Sequence, residues 1–98
     1  AGGIGQTYPG SCGDAPRNTY FDPAIWHNDK FVKTKGYCTD VFFSQATKWL
    51  DEKRKEKNPF FCVITPNAPH APYNVPEVYS KKFMEGPGVS KDEASYYG

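Results

Sequence analysis

The sequence predicts an α/β fold laid out as a β-hairpin, then a long helix, then a buried strand that runs into a proline-rich loop. Three observations predict it. The window 19–36 is aromatic-rich and is interrupted by His27-Asn28-Asp29-Lys30, a turn signature. The window 39–57 carries apolar residues at helical spacing. The run Phe60-Phe61-Cys62-Val63-Ile64-Thr65 is apolar and rich in strand formers, the pattern of a strand covered on both faces. A helix connecting strands points to a βαβ-type unit and a parallel sheet.

Taken in order, residues 1–18 are rich in Gly, Pro, Ser, Asp and Asn and read as a loop. Gly3-x-Gly5 lacks the third glycine of a dinucleotide-binding turn, and no strand precedes it in the chain, so close backbone approach is the better use of these glycines. Thr19 to Trp26 forms the first arm of the hairpin, with Asp22-Pro23 as an irregularity. Phe31 to Lys35 returns, and Gly36 ends it. His27 falls at the tip, where a solvated turn residue is the expectation.

The helix of 39–57 takes Thr39 or Asp40 as its N-cap. Phe42, Phe43, Ala46, Trp49 and Leu50 make a stripe for a core, opposite Lys48, Asp51, Glu52 and Lys55. Lys53, Arg54, Lys55 and Lys57 suit the negative end of the helix dipole, and Asn58-Pro59 stops the helix. Interspersed acids make this a solvated face rather than a nucleic-acid patch. The strand 60–65 follows, then the loop 66–76 framed by Pro66, Pro69 and Pro72. Glu77 to Phe83 reads as a short helix or turn, Gly86-Pro87-Gly88 as a loop, and Lys91 to Tyr97 as a helix start cut short by the chain end. That ending points to an incomplete domain.

Composition narrows the function. The 98 residues hold nine Gly, nine Pro and 16% aromatics, the make-up of a piece of a loop-rich enzyme. The mean hydropathy of −0.72 is lean for so short a chain. A net charge of +1 gives no global attraction to nucleic acid or anionic membrane. No apolar run is long enough to span a bilayer and no signal-peptide core is visible, so the chain as given is expected to be soluble. Cys12, Cys38 and Cys62 are an odd number, so they cannot form a complete disulfide framework within the chain. Cys38 and Cys62 sit in apolar stretches and read as buried, inert thiols. A zinc site with His27 or His70 would need cysteine spacings that are absent. His70 alone looks placed for chemistry: an imidazole there can bond an anionic oxygen or deliver a proton near neutral pH. No nucleophile elbow, phosphate loop or carboxylate cluster accompanies it.

An ordered set of motifs carries a resemblance. Lys35-Gly36-Tyr37-Cys38-Thr39-Asp40, the helix after it, Asn58-Pro59-Phe60-Phe61, Asn67-Ala68-Pro69-His70-Ala71-Pro72 and Val75-Pro76-Glu77-Val78-Tyr79 resemble the middle of a type I sulfatase. This is the arylsulfatase family of the alkaline-phosphatase-like superfamily. Gly2-Gly3-Ile4-Gly5-Gln6, Asn18 to Pro23 and Ser95 to Gly98 agree with its flanks, so the resemblance covers nearly the whole chain and marks it as an internal fragment of a sulfatase domain.

The resemblance implies hydrolysis of sulfate monoesters by a formylglycine nucleophile, with calcium on the sulfate oxygens. It implies that His70 contacts the sulfate ester and assists departure of the alcohol. Nothing else in the chain inherits a catalytic role. Cys12 lies in Cys12-Gly13-Asp14-Ala15-Pro16-Arg17, which is not the family's C/S-x-P-x-R, and is not assigned as the formylglycine precursor. The metal-binding carboxylates would lie outside these residues, so no calcium is expected on the fragment and the isolated chain is expected to be inactive. A periplasmic or secreted parent is compatible with the resemblance. The alternative is a non-catalytic sulfatase-like binding or assembly module. Phosphoryl-transfer enzymes of the same superfamily rank below both. Open strand edges and an apolar helix face lead to an expectation of self-association. Nucleic acid and membrane are not expected partners.

Overall fold

The structure is a computed structural model and describes residues 13–98. The expected glycine loop and Cys12 lie outside the described residues. The chain divides into two compact units, 1–67 and 68–98. No helix among the described residues is long and apolar enough to cross a membrane.

The first unit is organised by a short hairpin. Strand β1 (Ala24–His27) pairs antiparallel with β2 (Lys30–Lys33) in the register Ala24↔Lys33, Ile25↔Val32, Trp26↔Phe31 and His27↔Lys30. Asn28 and Asp29 both take positive φ, 46° and 64°, which gives the two-residue turn whose twist matches that of the strands. Trp26 and Phe31 pack edge to face across the pair, with ring centroids 4.9 Å apart.

The strands are shorter than the 19–36 window because Asp22 leaves the β region (φ 49°) and Pro23, fully buried, has no N–H to offer. The hairpin base is closed by other bonds. Asp22 N donates to Gly36 O (2.8 Å), while Gly36 N donates to Asp22 Oδ1 (2.7 Å). Gly36 adopts φ +100°, which glycine alone takes without strain. Thr34 turns both its N–H and its hydroxyl onto Pro23 O, at 2.9 and 2.6 Å. Phe21 and Tyr37 form an isolated antiparallel bridge, with rings 5.6 Å apart.

On the other edge, the Asn18 side chain behaves like a strand partner for Ala24. Its Oδ1 accepts from Ala24 N, and its Nδ2 donates to Ala24 O, both at 2.8 Å. A second proton of Nδ2 reaches Gly13 O at 3.0 Å.

Helix α1 spans Cys38–Lys53 and starts one residue before the expected window. Its N-cap is Tyr37, without a side-chain cap bond, so neither Thr39 nor Asp40 plays that part. The physical reason is tertiary. Cys38 N, an orphan donor of the first turn, donates to Tyr20 O at 2.8 Å. Asp40 remains in the first turn, where its charge suits the dipole. The helix also ends early. Lys55 N and Glu56 N reach back three residues to Glu52 O and Lys53 O, and Lys57 takes φ 58°, so 54–57 form turns instead of a last helical turn.

Two further expectations are corrected here. Residues 60–65 form no strand, and no parallel sheet exists among the described residues; the sheet there is the two-stranded hairpin. A strand needs a hydrogen-bonding neighbour, and none of the described residues bonds the main chain of 60–65. Nor is the segment buried: Phe61 is 86% exposed and Val63 65%. Cys62 is correspondingly exposed, against the expectation of a buried thiol, whereas Cys38 is fully buried.

In the second unit, α2 (Glu77–Met84) and α3 (Lys91–Tyr97) pack together through small residues: Ser80, Ala94 and Ser95 are buried. Gly98 sits so close to α2 that an added Cβ would come within 2.7 Å of the Tyr79 backbone. Gly88, at φ +82°, shapes the loop between the helices. Helix α3 begins with a capping box. Glu93 N donates to Ser90 Oγ (3.2 Å) and Ser90 N donates to a Glu93 carboxylate oxygen (2.9 Å).

Two predictions follow from these local bonds. Replacing Asn18 with Ala removes both of its bonds to Ala24, and should cost about 1–3 kcal/mol at this partly buried site. Faster amide exchange at Ala24, together with a lower midpoint in urea, checks it. The Ser90 backbone and hydroxyl donors hold the Glu93 carboxyl below its ordinary range. A depressed carboxylate stabilises the fold at pH values above its unfolded pKa and ceases to do so as pH falls through the folded one. Helix α3 should therefore fray on acidification through that window. In Glu93→Gln this pH dependence should vanish, as read from amide shifts of residues 91–97.

Candidate functional site

The loop that carries His70 lies in the second unit and leads into α2. Its Ala68–Pro69 and Ala71–Pro72 peptide bonds are cis. Asn74 N donates to Pro72 O at 2.8 Å, tightening the turn after the histidine. His70 is exposed, and its Nδ1 lies 2.6 Å from Ala71 O. A carbonyl only accepts, so Nδ1 carries the proton in this contact and the ring is held by its own backbone. Nε2 is then the ring nitrogen that carries no proton in the neutral tautomer and can accept a hydrogen bond.

The other histidine, His27, is the last residue of β1, opposite Lys30 and exposed. It lies in the first unit and has the position expected for a solvated hairpin residue.

Just before the loop, in the first unit, Asn67 makes a contact that the residue pattern did not reveal. Cys38 Sγ donates to Asn67 Oδ1 at 3.5 Å. Asn67 Nδ2 is buried with no hydrogen-bond partner among the described residues. No spacing rule connects positions 38 and 67; only the packing of the chain onto the start of α1 brings them together. Burial pushes the Cys38 thiol above its ordinary pKa, although hydrogen bonds to Thr39 and Asn67 act the other way. Cys38 is thus a protonated donor near neutral pH. Burial likewise pushes the Tyr37 phenol up.

The first unit also contains a groove of about 460 Å³. Ile25 and Val32 of the hairpin, Phe42, Ala46 and Trp49 of α1, and Val63 contribute to its walls. Trp49 meets Phe60 edge to face at 5.4 Å, which anchors the start of segment 60–65 on the helix. Phe42, Ala46 and Trp49 of the expected stripe therefore face this groove, whereas Phe43 is 48% exposed and lies beside Lys48, Asp51, Glu52 and Lys55, the face expected to be polar.

No group of three or more His, Cys, Asp or Glu side chains among the described residues could hold a metal ion. The calcium implied by the resemblance thus finds no ligand set among them.

Comparison with known proteins was made for the whole chain. Over 58 residues, or 59% of the chain, it is 34% identical to the N-acetylglucosamine-6-O-sulfatase of Bacteroides thetaiotaomicron. Over 80 residues, or 80% of the chain, it is 31% identical to the uncharacterized sulfatase YdeN of Escherichia coli strain K12. The matched segments are only 10% and 14% of the lengths of these two relatives. No solved structure matches significantly. The sulfatase family model aligns with residues 5–97, a span that takes in the hairpin, α1, the His70 loop and α3, and on that match the chain belongs to the sulfatase family.

Proposed function

We propose that this chain is an internal part of an alkaline-phosphatase-like sulfuric ester hydrolase, and that His70 is its contribution to the active site. The observation that carries the reading is the His70–Ala71 contact on an exposed loop, within a span aligned to the sulfatase model. With Nδ1–H held by the carbonyl, a protonated ring presents Nε2–H as a donor to the sulfate ester. In the reaction the S–O bond to the alcohol breaks, and the departing oxygen takes the Nε2 proton. Water supplies the other product, hydrogen sulfate, and the proton that restores the ring. General acid assistance of this kind contributes about 10²–10⁴-fold.

The formylglycine and calcium implied by the resemblance would come from polypeptide beyond these residues. The described residues supply no metal ligand cluster, and Cys12-Gly13-Asp14-Ala15-Pro16-Arg17 departs from the motif that yields formylglycine. The substrate class proposed for the whole protein is the sulfate monoester. A sulfated sugar is the specific case that the named Bacteroides relative suggests.

The test uses the longer polypeptide that contains this segment. His70→Ala should lower turnover of an alkyl sulfate by about 10²–10⁴-fold. It should cost far less on an aryl sulfate whose leaving group departs without a proton. Equal loss on both substrates would remove His70 from the acid role. Hydrolysis of phosphate but not sulfate monoesters would overturn the assignment of substrate. The 98-residue chain by itself should show no turnover of 4-nitrophenyl sulfate.

A further inference from the structure

We infer that Tyr96 of α3 is a positioning residue for His70: through its ring contact with Tyr73 it fixes the Ala71 carbonyl that orients the imidazole. The rings of Tyr73 and Tyr96 meet edge to face, with centroids 5.4 Å apart. Both residues belong to the unit 68–98. Tyr73 is also the centre of a three-residue turn, closed by the bond from Asn74 N to Pro72 O. One aromatic pair thus joins the end of the His70 loop to the last turn of α3. That helix is a firm support. Its start is held by the Ser90–Glu93 capping box, Ala94 and Ser95 are buried, and Gly98 lies against the Tyr79 backbone of α2. Tyr96 is itself braced edge to face by Tyr97, at 5.2 Å, and the Tyr97 ring lies 6.1 Å from that of Phe83 in α2.

Covalent geometry carries this support to the histidine. The peptide unit that contains Ala71 O is planar, and the ring of Pro72 fixes the next φ. Between Ala71 O and the Cα of Tyr73, ψ of Pro72 is therefore the one soft backbone torsion. Holding the Tyr73 side chain on α3 restrains that torsion and so restrains the carbonyl. The carbonyl in turn accepts from Nδ1 of His70 at 2.6 Å, which selects the neutral tautomer with its proton on Nδ1. A carbonyl free to swing away would let the ring place that proton on either nitrogen. Tyr96 acts through Tyr73 and Ala71, three and more residues from the imidazole in sequence.

The first measurement uses the 98-residue chain labelled with ¹⁵N-histidine, at a pH where the rings are neutral. The His70 shifts should report a proton on Nδ1. In Tyr96→Ala the population should move towards the Nε2–H tautomer by about two- to tenfold, the factor that the loss of one aromatic pair corresponds to. Tyr96→Phe keeps the ring and should keep the wild-type pattern. His27, in the first unit, is the internal control and should not change. Alanine suits a helix, and amide shifts of 91–97 should show that α3 persists. Tyr73→Ala, which leaves α3 untouched, should give the same shift, and the double variant no more than either single one. A wild-type His70 without its proton on Nδ1 overturns the inference. So does a Tyr96→Ala or Tyr73→Ala variant with the wild-type pattern, or a Tyr96→Phe variant that behaves like Tyr96→Ala.

The second measurement rests on the acid role proposed for His70 and uses the longer polypeptide that contains this segment. Tyr96→Ala should lower kcat on an alkyl sulfate by about two- to tenfold with KM little changed. It should spare an aryl sulfate whose leaving group departs without a proton, and Tyr96→Phe should restore the rate. A tautomer shift in the first measurement without selective loss on the alkyl sulfate upholds the positioning by Tyr96 and overturns the acid role of His70.

Discussion

The closed base of the hairpin is the constraint on which the first unit depends. Asp22 and Gly36 exchange two hydrogen bonds across it, and Tyr20 O takes the first orphan N–H of α1. Neither contact is a strand pair, yet together they set where β1 begins, where β2 is released and where the helix begins. Asp22 reaches its bonding position only by taking positive φ, and Gly36 does the same opposite it. Each such residue limits the chain locally. The gain is that a four-residue strand pair and a sixteen-residue helix share one fixed junction. Cys38, with none of its surface exposed, is that junction's innermost side chain.

Local chemistry was the most legible part of the sequence. Asn28-Asp29 named its own turn, because both residues tolerate the left-handed region. The spacing marked Phe42, Phe43, Ala46, Trp49 and Leu50 as one face of α1; Phe42, Ala46 and Trp49 do line the groove, but Phe43 lies with the charged residues. Lys91 to Tyr97 read as helical and is helical. Its Ser90-x-x-Glu93 capping box was in plain view as well and passed unread. The errors arose where a neighbour decides the outcome. Thr39 and Asp40 have the chemistry of N-caps, but the carbonyl of Tyr20, eighteen residues before Cys38, had already satisfied the first donor. Residues 60–65 have the composition of a buried strand, but burial needs a second surface, and the described residues supply only the groove side.

The candidate site shows the same division. The proline frame made its histidine conspicuous without giving it a role, and the ordered motifs around it carried the family. What spacing could not supply was the ring's own hydrogen bond to Ala71 O, which decides the ring tautomer. Asn67 escaped notice because an amide is ordinary in a loop. Its meeting with Cys38 depends on how the chain returns to α1 after a separation of twenty-nine residues. The family relation and the geometry answer different questions: one names the family, the other gives the contact that holds one imidazole ring.

The locality of the structure has a kinetic meaning. The element pairs that pack most closely, β1 with β2 and α2 with α3, are neighbours in sequence joined by short connections. Closing such short loops takes well under a microsecond, and hairpins form in about 1–10 μs. Both units can therefore acquire their shape while the rest of a growing polypeptide is still being made, since synthesis adds only about 5–20 residues per second.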